Sequence, residues 1–168
     1  MVKRVKTILL LLVVGINYFG YSQTQATASF TASATIIQPI GITTTANMNF
    51  ANLDAKSGGT VILTPEITRT STGGVSFSDN TAISAAAFEV TGEDGFSFSI
   101  TLPQNEYKLS NGSENMIIKD FTSSLADGGY VSGGSRIIKV GATLNVNPNQ
   151  TPGVYNSQNP MNVTVNYN

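Results

Sequence analysis

Phe96-Ser97-Phe98-Ser99-Ile100-Thr101-Leu102 decides how this chain is read. Apolar and hydroxylic side chains trade places at every step. An extended strand puts Phe, Ile and Leu on one face and Ser and Thr on the other, whereas a helix would scatter them around its circumference. The pattern returns in Val140, Ala142, Leu144 and Val146, and again in Met161, Val163, Val165 and Tyr167. Near the N-terminus, Ala26, Ala28, Phe30, Ala32, Ala34 and Ile36 alternate with Ser and Thr at every odd position. That ladder has one small apolar face and one hydroxylic face.

Shorter runs of strand character fill the intervals, at residues 40–44, 47–50, 60–63, 75–78, 88–91, 107–109 and 116–121. Asp94-Gly95 is predicted to join 88–91 to 96–102 as a tight hairpin, and Asn111-Gly112 to join 107–109 to the next run. Both dipeptides accept the positive φ angles of primed turns. Pro148, Pro152 and Pro160 keep the stretch before the last strand from pairing continuously. The one helix candidate, SAAA at 84–87, is too short to stand alone and reads as the start of a strand. No fixed-period repeat accompanies the Thr-rich stretches at 43–45 and 68–72, which argues against a solenoid.

About ten strands with turn residues between them predict an all-β chain, an antiparallel two-sheet β-sandwich of immunoglobulin-like or pilin-like kind without substantial helix. Parallel strands buried on both faces would not alternate in this way. Phe98, Ile100, Leu102, Ala142, Leu144, Val163 and Val165 are the expected inward-facing residues.

Residues 1–22 read as a secretory signal peptide. Lys3, Arg4 and Lys6 form the basic region, ILLLLVV at 8–14 the apolar one, and Gly20-Tyr21-Ser22 a small-x-small cleavage pattern. A transmembrane anchor would need about 20 apolar residues, and Asn17 and Ser22 interrupt too early. The expected mature chain, 23–168, is a single β-sandwich domain without a membrane span. Its location is the periplasm, the cell surface or the extracellular space. Once the leader's three cations are gone, six basic residues face ten acidic ones, a balance of −4. Such a charge offers no field to hold nucleic acid.

Cys, His and Trp are absent from all 168 residues. That removes disulfides, thiolate and imidazole metal sites, Ser-His-Asp and Cys-His centres, and lipid attachment to a processed N-terminal Cys. Carboxylates are the remaining candidates for acid-base chemistry. Glu93-Asp94 is the one adjacent pair, and neighbours in a turn diverge instead of facing each other across a cleft as a glycosidase requires. No DxDxDG-like run exists for calcium. No catalytic residue, metal or cofactor is expected. Phe30, Phe50, Phe77, Phe88, Phe96, Phe98 and Phe121 read as core, while Tyr107, Tyr130 and Tyr155 lie near turns where they could meet a ligand.

Several strings then fall in a familiar order. They are AFEVTG at 87–92, FSITLP at 98–103, LSNG at 109–112, VGATLNV at 140–146, GVY at 153–155 and the ending VTVNYN at 163–168. Together they resemble the secreted bacterial family catalogued as domain of unknown function 4402 (DUF4402). The resemblance covers nearly the whole expected mature chain and implies export and a β-sandwich, without an activity. More loosely, GVY followed by an alternating last strand with Tyr167 next to last resembles spore-coat-U-type and chaperone–usher pilin subunits. That likeness implies self-assembly through terminal strands, with copies of itself or related surface subunits and a periplasmic chaperone as partners. Many such pilins carry a disulfide, and this chain has no cysteine. Ala26, Ala28, Phe30, Ala32, Ala34, Ile36 and Tyr167 are the candidate assembly residues. Otherwise residues 26–36 are the ordinary first strand of a closed sandwich and Tyr167 a core residue of the last.

The leading expectation is a non-enzymatic structural or adhesive surface protein. The alternative is a secreted binding module for carbohydrate or another small ligand, and a hydrolase working with carboxylates alone comes third.

Overall fold

The structure is a computed structural model that describes residues 25–77, 82–126 and 128–168. The signal-peptide residues 1–22 and the cleavage point lie outside the described residues. Among those described there are thirteen strands and no helix, hence none long and apolar enough to cross a membrane. All strand pairs are antiparallel.

The spine is β11 (Ser135–Val146), the longest strand. Its first half pairs with β6 (Ala86–Thr91), which pairs in turn with β1 (Gly41–Ala46). Beyond Gly141 the same flank of β11 pairs instead with β3 (Gly59–Leu63), and β3 pairs with β4 (Arg69–Gly73). The opposite flank carries β9 (Asn115–Ser123), then β8 (Tyr107–Ser110), then the short β12 (Asn156–Ser157). A three-stranded sheet of β10 (Gly129–Tyr130), β7 (Ser97–Thr101) and β13 (Thr164–Tyr167) packs over the first half. The two-stranded β2 (Leu53–Asp54) and β5 (Ser76–Phe77) lie against the second.

The forked sheet gives two apolar clusters. Val90, Phe98, Val131, Ile138 and Val165 fill the space between the β6–β11 half and the three-stranded sheet. Val61, Leu63, Met116, Ile118, Ala142, Leu144 and Val146 fill the other, with Phe50 and Val75. Of the expected inward residues, Phe98, Ala142, Leu144 and Val165 are buried, and Ile100, Leu102 and Val163 are half-buried. A bulge keeps β9 in phase with its core. Asp120 takes a left-handed φ of 50° and the register against β11 shifts between Gly141 and Thr143. Phe121 thereby joins Met116 and Ile118 on the cluster side, its ring edge-on to Tyr107 at 6.0 Å. Such an extra residue is how a strand re-aims its side chains without breaking the sheet.

Some local expectations need correction. Asp94-Gly95 does not close a hairpin, because β6 belongs to the large sheet and β7 to the small one. The local chemistry is right, with Gly95 at φ 77°, but the connection crosses between layers. The two-residue turn with both φ positive is Gly133-Gly134, at 64° and 84°. Asn111-Gly112 does lie between two paired strands, in a loop of four residues between the partners Ser110 and Asn115. Asn111 Oδ1 accepts from the Ser113 and Glu114 N–H groups and shapes that loop. Residues 47–50 form only a bridge from Asn49 to Ser84. β4, whose sequence RTSTG has no apolar side chain, is a strand that alternation could not reveal.

Ile67, in the loop from β3 to β4, has φ 64°. A β-branched residue in the left-handed region carries strain of about 1–3 kcal/mol, and at 39% exposure the burial of Ile67 offsets only part of it. Glycine relieves the strain and loses only about 0.5–1 kcal/mol in backbone entropy. Ile67→Gly is therefore expected to stabilise the fold by about 0.5–1 kcal/mol, read as a higher urea midpoint at unchanged slope. A lower midpoint would show that the packing of the isoleucine outweighs its strain.

Candidate functional site

Alternation makes a strand only where a partner edge exists. A lone strand leaves its backbone groups to water, and alanine buries little area to offset the loss of chain entropy. Residues 25–40 contain no strand and residues 25–39 are exposed throughout. The chain divides at Thr35, and the β-unit runs from Ile36 to Asn168. Ala26, Ala28, Ala32 and Ala34 are thus exposed, with Phe30 at 93% and Ile36 at 98%. Phe30 is not a core residue, and residues 26–36 are not the first strand of this sandwich. Phe96, also expected in the core, is 41% exposed.

Tyr167 sits at the other end of the sequence and holds the start of the β-unit. Its hydroxyl donates to the Gln38 carbonyl at 2.8 Å and accepts from the Glu93 backbone N–H at 2.6 Å. The Glu93 carboxylate in turn accepts from the Gln38 N–H at 2.9 Å. Both backbone groups of Gln38 are therefore held. The tyrosine ring lies edge-on to Phe96 at 5.6 Å. Gly92 is required beside it, since a Cβ there would overlap the Tyr167 hydroxyl. The same end is knitted by Asp94, whose carboxylate accepts from the Gly133 N–H at 2.7 Å. Glu93 and Asp94 hence serve different loops and do not face a common point. Gln38 and Glu93 could not be found from sequence. The one signal is Pro39, which biases Gln38 to an extended backbone.

A cavity of about 240 Å³ lies where the two clusters meet. Met48, Phe121 and Met161 line it from one, Phe88 and Val163 from the other, and Val140 of β11 from between. Pro103, Pro160 and the polar Thr44, Asn47 and Ser157 line it as well. It lies by the Thr44–Ala46 end of β1, whereas the Tyr167 clamp is by the Gly41 end, where Gly41 pairs with Thr91.

A second depression, about 310 Å³ and mostly polar, is bordered by Glu114, Asn115, Asn147, Pro148 and Gln150. The Glu114 carboxylate accepts from the Thr151 N–H at 2.7 Å and from the Tyr155 hydroxyl at 3.3 Å. The Thr151 backbone bond is the largest cause holding its pKa below the ordinary carboxylate value, aided by the Thr151 and Tyr155 side chains. These bonds fasten residues 151–155 to the β8–β9 loop. Of the three tyrosines near turns, Tyr107 and Tyr155 are half-buried and only Tyr130 is well exposed, at 68%.

No curated protein and no solved structure matches the chain, so the likeness of its ends to spore-coat-U-type and chaperone–usher subunits finds no support there. The model of one family does match, described as Domain of unknown function (DUF4402), from residue 40, just before β1, to the clamp residue 167. Its span takes in all thirteen strands and excludes the exposed segment before them, and the chain belongs to this family.

Proposed function

We propose that this is an exported, non-enzymatic structural or adhesive protein of the cell surface or surroundings. It assembles with copies of itself or related subunits through its N-terminal segment. The observation that carries the reading is residues 26–36, a segment with the alternation of a strand, no strand partner, and Phe30 and Ile36 in water. The β-unit has matching edges, since among the described residues β1 pairs only with β6 and β13 only with β7. A strand added to such an edge gains main-chain hydrogen bonds, and its alternate side chains find pockets. Tyr167 contributes by anchoring the segment's root and not as a pairing strand of its own. A periplasmic chaperone fits this reading as a cover for the segment before assembly.

The test is deletion of residues 23–36 from the exported chain. Its described residues, 25–36, supply nothing to either cluster, so the shortened chain is expected to fold with an unchanged urea midpoint. Light scattering after gel filtration should show complete loss of polymer relative to wild type. A wild type that stays monomeric at every concentration, and on cells, would overturn the reading. It would favour a binding module, with Tyr130 as the first residue to probe.

A further inference from the structure

We infer that Phe30 of one copy seats in the cavity between Met48, Phe88, Phe121 and Met161 of a second copy. This deepens the assembly reading and rests on it. Phe30 is the one aromatic residue in the exposed stretch 25–37, and it is 93% exposed. The cavity, at about 240 Å³, is lined mainly by aromatic rings, methionines, Val140 and Val163, with Thr44, Asn47 and Ser157 as its polar members. Apolar cavities of roughly 150 Å³ take up a benzene ring, so this one has room for a phenyl group. Aromatic edges and thioethers are favourable neighbours for such a ring. Ala28 and Ala32, the next residues on the same face of an extended segment, are small enough to pass over the rim on either side.

The exposure of Phe30 argues for a second copy as the source of the ring. Gln38 is held at both its N–H and its C=O, so the root of the segment is fixed on the β-unit. A ring that is 93% exposed does not fill the cavity of its own chain, which leaves that cavity open to the ring of another copy. A contact between one copy's segment and another's cavity is head-to-tail, and repeated without closure it builds an open chain.

The chain has no cysteine, so paired single substitutions report proximity without background. Phe30→Cys chains mixed with Met161→Cys chains under mild oxidation should give a disulfide-linked dimer. The yield should be at least tenfold above Phe30→Cys mixed with Thr72→Cys, whose residue is exposed on β4. Phe30→Ala should raise the concentration needed for assembly by about tenfold or more, as loss of a buried aromatic side chain does, and Phe30→Leu should recover most of it. Equal yields from the two mixtures would overturn the cavity assignment. So would no crosslink while deletion of residues 23–36 still abolishes polymer, an outcome that leaves the assembly reading standing. Concentration-independent crosslinking within one chain carrying both substitutions would assign the cavity to the chain's own segment and overturn the second copy. A strictly monomeric wild type sinks both readings.

Discussion

Gly141→Ala is expected to cost about 3–5 kcal/mol, close to loss of the fold for a domain of ordinary stability. Gly141 stands where the partner of β11 changes. Val140 pairs with Ala86 of β6 and Ala142 with Leu63 of β3. At that fork the chain leaving β3 runs directly over Gly141. A Cβ there would overlap the Leu63 carbonyl oxygen and lie 2.8 Å from the Thr64 carbonyl carbon and 2.9 Å from the Pro65 nitrogen. All three obstacles are backbone, so no rotamer change relieves them. Relief requires moving the end of β3, whose Leu63 is fully buried. Overpacking alone costs about 1–3 kcal/mol, and displacing a paired strand end adds to that. The φ of Gly141 is not in the left-handed region, so the cost is steric. Gly112 is the opposite case, with φ 97° and open space around it. Gly112→Ala should cost only the strain of that backbone, about 1–2 kcal/mol. Urea unfolding of the two variants separates the causes. A loss under about 1 kcal/mol for Gly141→Ala would mean that the β3–β4 loop moves aside freely.

The fork also shows what the sequence could and could not reveal. Period-2 alternation located β7, β11 and β13 and assigned their inward faces, because a strand half-buried in a sheet must alternate. It was silent about which strand pairs with which. Hence Asp94-Gly95, with the local chemistry of a hairpin, was expected to join partners and instead links two sheets. β4 escaped because its neighbours supply its burial: its one large side chain, Arg69, is half-buried over the Phe77 ring at 3.8 Å and donates to the Phe50 carbonyl. Alternation at 26–36 marks a segment competent to be a strand, and whether it pairs depends on an edge that local sequence does not encode. The clamp was invisible for a related reason. Tyr167 was singled out by position, but Gln38 and Glu93 meet it through backbone groups that any residue carries, at sequence separations of 129 and 74.

Leu144→Ala and Phe98→Ala are expected to lower one common unfolding transition, by about 2–5 and 3–5 kcal/mol respectively. Each removes most of a fully enclosed side chain, with Leu144 at 2% and Phe98 at 0% exposure. They lie in different clusters, Leu144 with Val61, Leu63 and Ile118, and Phe98 with Val90, Ile138 and Val165. Two clusters could melt separately, but β11 runs through both, with Ile138 in one and Leu144 in the other. Its pairing with β9 continues across the fork, from Val140 opposite Ser123 to Asn145 opposite Ile117. Losing either cluster would strip one half of β11 of its facing layer while the other half kept its partners. The exposed apolar face and unpaired backbone left behind make that half-folded state costly, which favours a single cooperative step. The check is calorimetry beside the amide NMR signals of Ile118 and Val165, which report on opposite clusters. Coincident transitions shifted by either variant support one unit. If Phe98→Ala splits the trace, so that the Val165 signal melts while the Ile118 signal holds, β11 does not couple the two halves and each cluster folds on its own.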